Sequence, residues 1–309
     1  MDLKTTVTKL GLAGLIGLGP FSGCLATPLD PDATEAFVCD AETACPPTQS
    51  CLQGRCVLGE LPQISVLSPE EDALLSFDPE QGEVRMVVIR IGGDHLDLVD
   101  PATDPEAAVG AGQIRVRVDG VEVESITSGD ISGGVLVEVP MSNRAGVHRI
   151  EAVALRSDES AYDNPEAWSR RTFWLDDGKP HVAVKRPWPG TELPLDSGDY
   201  TVAVSAIGIQ LTDPGTNPLE GEGHTHIHYD EVFPGCTQDN ICDQSYQGII
   251  PNGDGRLEAP VLLPGDSAGN ATISAVLREA NHTPFIDDDG LPVYDTIEVV
   301  RTRRGDVGE

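Results

Sequence analysis

The sequence predicts an all-β protein in which two β-sandwiches follow one another behind a short cysteine-rich segment. Three observations support this fold class. The 309 residues include 33 Gly and 24 Pro, a content that favours many short strands and turns over long helices. Apolar residues alternate with polar ones over short runs, as they do in half-buried strands. The second half of the chain also aligns on the first half, which indicates a repeated unit.

The chain is strongly acidic. Asp and Glu number 51 against 20 Lys and Arg, which gives a formal net charge of −31. Such a charge repels phosphates, so we expect no nucleic-acid partner and no electrostatic docking onto anionic lipid. No uninterrupted apolar run reaches the ~18–20 residues that span a bilayer.

Residues 1–23 have the parts of an export signal. Lys4 and Lys9 form a basic start, residues 10–19 are an apolar stretch, and small residues lead up to Cys24. A charged head, a short apolar core and small residues at the cleavage point are typical of a secretory signal peptide. The chain has seven Cys, an odd number. If the other six form disulfides, Cys24 is the one without a disulfide partner.

The sequence FSGC at 21–24 resembles the lipobox of bacterial lipoproteins. This resemblance implies that Cys24 becomes the mature N-terminus and carries acyl chains, which would hold the protein to membrane lipid. Leu25 follows Cys24, and in that family this implies the outer membrane. Residues 24–38 would then be an acylated cysteine and an extended linker rich in Pro and Asp.

Residues 39–57 form a small cysteine-rich segment. In an exported chain, four Cys within so short a segment predict two disulfides, because the segment cannot build a core of its own. Three pairings remain open, and zinc is the less favoured alternative because the C-x2-C pairs of zinc sites are absent. The four residues are Cys39, Cys45, Cys51 and Cys56. The segment resembles the cysteine-rich heads of predicted myxobacterial surface lipoproteins.

The remainder of the chain consists of two tandem copies of one sequence unit. The first copy covers 62–178 and the second copy 180–303, with a hinge at 176–180 and a tail at 304–309. Several short strands per copy, separated by Gly- and Asp-rich turns, predict a β-sandwich. The tandem resembles bacterial immunoglobulin-like domains, which implies a rod that projects from its anchor.

A row of histidines distinguishes the second copy. In the first copy Ile114, Val116 and Val118 face one side of a strand, and the long polar side chains of Gln113, Arg115 and Arg117 face the other. We expect that second side to be exposed to water. The second copy places imidazoles at the matching positions, which are His224, His226 and His228.

Geometry limits the metal site that these histidines could form. Alternate residues on one face lie ~6.6 Å apart, so two neighbours can converge on an ion but all three cannot. In the immunoglobulin topology the histidine strand pairs with the strand at 273–277, after which His282 follows. The first copy has Glu159 at that position. We therefore predict a copper or zinc site at His224, His226 and His282, with His228 as a further candidate. A solvated polar strand remains the alternative.

The second copy also carries an insertion between Asp230 and Gly269. It contains Cys236 and Cys242, which we expect to form a disulfide that staples a long hairpin. Weak calcium binding by oxygen ligands is another alternative, although the spacing does not match a calcium-hand loop. Its candidate ligands are Asn252, Asp254, Asp287, Asp288 and Asp289.

Two enzyme signatures are weak. Ser267 lies in GDSAG, which resembles the nucleophile elbow of hormone-sensitive-lipase-like esterases, but no HGGG loop accompanies it. The sequence HTH with a later Cys resembles copper–zinc superoxide dismutase. That family needs more histidines than the four available here, and a guanidinium near the copper, which we do not expect at this site.

These observations favour a lipid-anchored cell-envelope protein that acts as a non-enzymatic binding or presentation module. Its protein or polysaccharide partner is not specified by the sequence. A structural spacer or adhesin is one alternative. A metal-dependent enzyme that uses the same histidines with an open coordination position is the other.

Overall fold

Two β-sandwiches with the same strand order follow one another along the chain. The computed structural model describes residues 39–303 except for 41–42, 46–48, 79–84, 104–109, 142–143, 196–197, 216–218, 220, 231–245, 252–256 and 263–267. The predicted signal peptide, Cys24, the linker and the tail at 304–309 lie outside the described residues. Cys236, Cys242, Asn252, Asp254 and Ser267 also lie outside them.

The cysteine-rich segment is a stapled hairpin. Strands β1 (Gln49–Leu52) and β2 (Arg55–Leu58) pair antiparallel. Disulfides join Cys39 to Cys51 and Cys45 to Cys56. The prediction of two disulfides is therefore confirmed, the pairing is first to third and second to fourth, and the zinc alternative is wrong because oxidised sulfurs cannot ligate the ion.

The first sandwich consists of a large sheet and a three-stranded sheet. The order of the large sheet is β4-β11-β10-β7-β6, with β8 also paired to β7, and that of the small sheet is β3-β5-β9. The strands are β3 (Gln63–Ser68), β4 (Ala73–Ser76), β5 (Met86–Asp94), β6 (Asp97–Leu98), β7 (Ala111–Val118), β8 (Val121–Ile126), β9 (Val135–Pro140), β10 (Gly146–Arg156) and β11 (Trp168–Asp176). Among the described residues, the single helical turn is the 3₁₀ turn Pro165–Ala167.

The second sandwich repeats this topology strand for strand. Its large sheet has the order β13-β20-β19-β16-β15, with β17 also paired to β16, and its small sheet is β12-β14-β18. The strands are β12 (His181–Arg186), β13 (Glu192–Pro194), β14 (Asp199–Ile207), β15 (Gln210–Leu211), β16 (Glu222–Tyr229), β17 (Gly248–Ile250), β18 (Glu258–Leu262), β19 (Gly269–Glu279) and β20 (Tyr294–Thr302). The all-β prediction with two tandem immunoglobulin-like sandwiches is confirmed.

Alternation along the strands builds each core. Ile114 and Val116 of β7 and Ile227 of β16 are fully buried between their sheets, as the period of two predicts. In the first sandwich Asp119 and Gly120 both adopt positive φ, at 51° and 79°, and join β7 to β8 by the two-residue turn that matches strand twist. The second sandwich has its insertion at this point, and β17 takes the place of β8 beside β16.

Buried contacts join the two sandwiches. Arg149 of β10 pairs with Asp295 of β20, with Nη1 3.3 Å from Oδ1 and a second contact from Nη2 to Oδ2. Asp295 also accepts the amide of Val184 at 2.8 Å. Trp174 of the first sandwich and Ala183 of the second, both fully buried, pack in a small shared apolar cluster. Charge pairing and apolar packing therefore act at the same junction between the two sandwiches.

Candidate metal centre

The histidine strand β16 is buried on both faces. Thr225 and Ile227 point into the sandwich, and His224, His226 and His228 point away from it, yet all five are 0% exposed. The expectation that the histidine face is wet is therefore wrong. The histidine face is buried because the chain packs back against β16 at β17. Strand β17 pairs along the edge of β16 and brings Tyr246 against the ring of His226, with centroids 4.3 Å apart.

Three of the histidines converge. Nε2 of His224 lies 3.0 Å from Nε2 of His226, which in turn lies 3.2 Å from Nδ1 of His282. All three nitrogens are within 4.8 Å of one another. His228 lies outside this group, with its ring centroid 6.3 Å from that of His226. The structure thus brings together two neighbours of the strand and one histidine from a turn.

The turn after β19 positions His282. Glu279 and Thr283 are joined by a backbone hydrogen bond of 2.8 Å, and the amide of His282 donates to the carbonyl of Glu279 at 2.9 Å. His282 has a φ of 73°, in the left-handed region that closes such a turn. Its ring therefore lies over the strand, edge-on to His224 with centroids 4.8 Å apart.

The equivalent turn of the first copy carries a carboxylate in place of the histidine. In the first sandwich Gly112 pairs with Arg156, and in the second Gly223 pairs with Glu279 at the equivalent place. Glu159 is therefore the counterpart of His282, and its φ of 64° is similar. There the carboxylate of Glu159 lies 3.5 Å from Arg115, the counterpart of His226. An ion pair in the first sandwich is thus replaced in the second by two imidazoles.

Burial keeps His224 and His226 neutral. Loss of hydration, followed by the charges that His282 and Arg278 would add, lowers the pKa of His224 to about 4. Burial and then the neighbouring His224 and Arg278 lower the pKa of His226 to about 2. Both rings are therefore uncharged at neutral pH, and the neutral imidazole is the form that ligates metal ions.

The donor set suits a borderline metal. Three imidazole nitrogens match copper and zinc, whereas calcium and magnesium require oxygen ligands. Within the described ranges, no fourth histidine, cysteine or carboxylate atom joins the three. The buried Nδ1 of His224 also has no hydrogen-bond acceptor among the described residues. Three protein ligands leave a tetrahedral ion one further coordination position.

Two further residues at this centre were not predicted from the sequence. Arg278 is 3% exposed and lies opposite His224 on β19, and its Nη1 donates to the carbonyl of His282 at 3.4 Å. The expectation that no guanidinium is present was therefore wrong. The aligned repeats contained the signal, because the first copy has Leu155 where the second has Arg278. Tyr246 had no comparable signal.

The proposed calcium ligands that are described do not form a cluster. The Oδ1 atom of Asp287 accepts the amides of Asp289 at 3.0 Å and Leu291 at 2.8 Å, which closes a local turn. Asp288 instead pairs with Lys179. In the portion of the chain that is described, these carboxylates do not join any group that could hold an ion.

Comparison with known proteins found resemblances among solved structures alone. No protein family and no curated protein matches the chain. Among solved structures it is similar to fibronectin(III)-like modules of Clostridium thermocellum CbhA (12% identity, 78% of this chain and 95% of that one, TM-score 0.25). It is also similar to the D0-D1 domain of intimin (10% identity, 77% of this chain and 97% of that one, TM-score 0.33). A third similar structure is the titin Ig tandem A164-A165 (13% identity, 79% of this chain and 98% of that one, TM-score 0.21).

The described part of the chain contains no helix that is long and apolar enough to cross a membrane. The two disulfides indicate folding in an oxidising compartment, since thiols are kept reduced in the cytosol.

Proposed function

We propose that the protein is a lipid-anchored, non-enzymatic module of the bacterial outer membrane whose second sandwich binds one copper or zinc ion. His224, His226 and His282 supply the ligands, and Cys24 carries the anchor. The observation that carries the metal proposal is the meeting of three imidazole nitrogens within 4.8 Å, two of them from fully buried rings.

Two features support a ligand role over a packing role. Burial removes the hydration of these polar rings, and three imidazole nitrogens brought within 4.8 Å of one another offer an ion contacts that would offset this cost. The first sandwich folds with Arg115 and Glu159 in the same places, so this topology does not require histidines there. A bound ion would use the nitrogens and offset the cost of burial by mass action.

A non-enzymatic role is supported by the donor set of the site. A hydrolytic metal centre needs a general base beside the ion. Among the described residues, the group that could hold an ion in the second sandwich contains three imidazoles and no carboxylate.

Titration calorimetry with Cu(II) and Zn(II) tests the metal site. We expect about one ion per chain, and His226→Gln or His282→Gln to weaken binding by at least about 100-fold, since each removes a ligand. His228→Gln is the matched control, because it alters an equally buried ring on the same strand that lies outside the cluster. Far-UV circular dichroism verifies that each variant folds. Equal affinity of wild type and His226→Gln would contradict the proposal.

The anchor is tested separately. We expect Cys24→Ala to abolish acylation of the N-terminal peptide, as measured by mass spectrometry, and to release the protein from the membrane fraction. The double variant Cys45→Ala with Cys56→Ala is the control, because it removes one disulfide of the hairpin and leaves the lipobox intact. An unchanged membrane fraction for Cys24→Ala would exclude this anchor.

A spacer function is the second candidate, and the junction favours it. The Arg149–Asp295 pair and the buried Trp174 hold the two sandwiches together. Small-angle scattering on the full chain would show one narrow distribution of lengths for a stiff spacer. A broad distribution of lengths would count against it.

A further inference from the structure

An open cleft lies between the two sandwiches. Strand β12 packs against the large sheet of the first sandwich, where Ala183 contacts the cluster that contains Trp174. Lys185 of the same strand pairs with Asp72 at 2.7 Å. Beside these contacts, residues of both sandwiches line a cavity of about 540 Å³. Small-molecule sites have such volumes and are frequent at the boundary between domains.

The large sheet of the first sandwich forms the floor of this cleft. Arg117 of β7 and Glu151 of β10 are paired in register, so both side chains stand on the same side of the sheet. Both are half-buried, line the cavity and contact each other at 3.4 Å. A guanidinium has five N–H donors, so Arg117 retains donors for a ligand beyond its contact with Glu151.

The second sandwich supplies an aromatic ring to the wall of the cleft. Trp188 is half-buried and lies between Pro187 and Pro189, whose fixed φ restricts the backbone on both sides. The guanidinium of Arg170 lies 5.5 Å from the ring centroid of Trp188 and 5.3 Å from that of Trp168. This contact holds the indole in place. A fixed, flat apolar surface thus stands within a polar cleft.

Two polar side chains of the second sandwich complete the lining. Asn270 of β19 and Glu298 of β20 border the cavity and are exposed, so the cleft is accessible from solvent. Among the described residues, neither side chain has a hydrogen-bond or ion-pair partner. The amide can donate and accept hydrogen bonds, and the carboxylate accepts them. Both groups are therefore available to a ligand.

The charges of the cleft favour a neutral ligand. Glu298 contributes an uncompensated negative charge, and the whole chain carries −31, so a strongly anionic ligand would be repelled. A neutral sugar fits better, because its hydroxyl groups both donate and accept hydrogen bonds and the C–H face of a pyranose ring packs on an indole. Each arginine of the lining has a carboxylate beside it, namely Arg117 with Glu151, Arg149 with Asp295 and Arg144 with Asp119.

We propose that the cleft between the sandwiches binds a neutral oligosaccharide. One pyranose ring stacks on Trp188, and its hydroxyl groups bond to Asn270, Glu298 and the pair Arg117–Glu151. The three histidines of the candidate metal centre do not line this cavity, so the site is separate from the metal function. It gives the non-enzymatic module a partner of the polysaccharide class.

Titration calorimetry of the full chain with cellotetraose, maltotetraose and N-acetylchitotetraose tests the inference, and at least one of these probes should bind. Trp188→Ala should lower the affinity by about tenfold or more because it removes the apolar surface, whereas Trp188→Phe should keep most of it. The double variant Asn270→Ala with Glu298→Ala should weaken binding by about as much. Leu136→Ala is the control, since that side chain is 63% exposed on the small sheet of the first sandwich.

The outcomes are distinct. The inference is overturned if none of the three neutral probes binds, or if tetragalacturonate binds more tightly than all of them. Equal affinity in wild type, Trp188→Ala and the double variant would show that the sugar binds elsewhere. Should Trp188→Ala fail to fold, the double variant decides, because both of its side chains are exposed. Zinc affinity should be unchanged in every cleft variant, so the failure of either proposal is recognised separately.

Discussion

Acid should destabilise the metal-free protein through its buried histidines. In the unfolded chain a histidine titrates near pH 6.5, whereas burial lowers the pKa of His224 to about 4 and that of His226 to about 2. Between these values the unfolded state binds protons that the native state excludes. Stability is therefore complete above about pH 6.5 and is lost as the pH falls below it.

The size of this effect follows from the pKa differences. One pH unit is worth 2.303RT per proton, so at about pH 5 each of the two groups contributes a loss of about 2 kcal/mol. Together His224 and His226 should remove about 4 kcal/mol from the unfolding free energy relative to neutral pH. Other groups of the chain titrate in the same range, so the measurement must compare variants.

Urea unfolding followed by far-UV circular dichroism, with a chelator present, measures the loss. The double variant His224→Gln with His226→Gln lacks both groups and should lose about 4 kcal/mol less than wild type between neutral pH and about pH 5. His95→Gln is the control, since that ring is 40% exposed. The reasoning is refuted if wild type and the double variant lose the same amount.

Three further predictions concern the framework. Arg149→Met should cost about 3–5 kcal/mol in urea unfolding because it leaves the carboxylate of Asp295, which is 10% exposed, without its cation; a cost below that of an exposed arginine variant would contradict this. Replacing Cys39 and Cys51 together by Ser should destabilise the hairpin by about 2–3 kcal/mol, seen as faster proteolysis of the cysteine-rich segment alone. Gly223→Ala should lower the melting temperature, because its Cβ would overlap a carbonyl oxygen of the neighbouring strand; an unchanged melting temperature would argue against so close an approach.

The alternation of apolar and polar residues was enough to predict the sheets. Ile114 and Val116 alternate with polar neighbours, and the structure buries them between the sheets. The repeat predicted two copies of one unit, and the resemblance to immunoglobulin-like domains supplied the pairing of their strands. Cysteine spacing predicted two disulfides but not their pairing, which depends on how the hairpin β1–β2 folds back.

The burial of the histidine face could not be predicted in the same way. Gln113, Arg115 and Arg117 suggested a solvated face, but Gln113 is 6% exposed and the two arginines are half-buried. Tyr246 covers His226, and it lies in the segment between Asp230 and Gly269 that is longer in the second copy than in the first. Comparison of the two copies gives information only on the positions that both contain. A contact made by a segment that is present in one copy alone therefore has no equivalent in the other. The place of Arg278 beside His224 follows from the strand register, which the alignment of the two copies could have provided.

The central claim is that three histidines of the second sandwich bind one ion. X-ray absorption spectroscopy on the zinc-loaded full chain tests it most directly, since it counts imidazole ligands at the metal. The account predicts about three imidazole nitrogens at about 2.0–2.1 Å, and a lower number in His282→Gln. A spectrum with sulfur or oxygen ligands alone, or one that His282→Gln leaves unchanged, would contradict it.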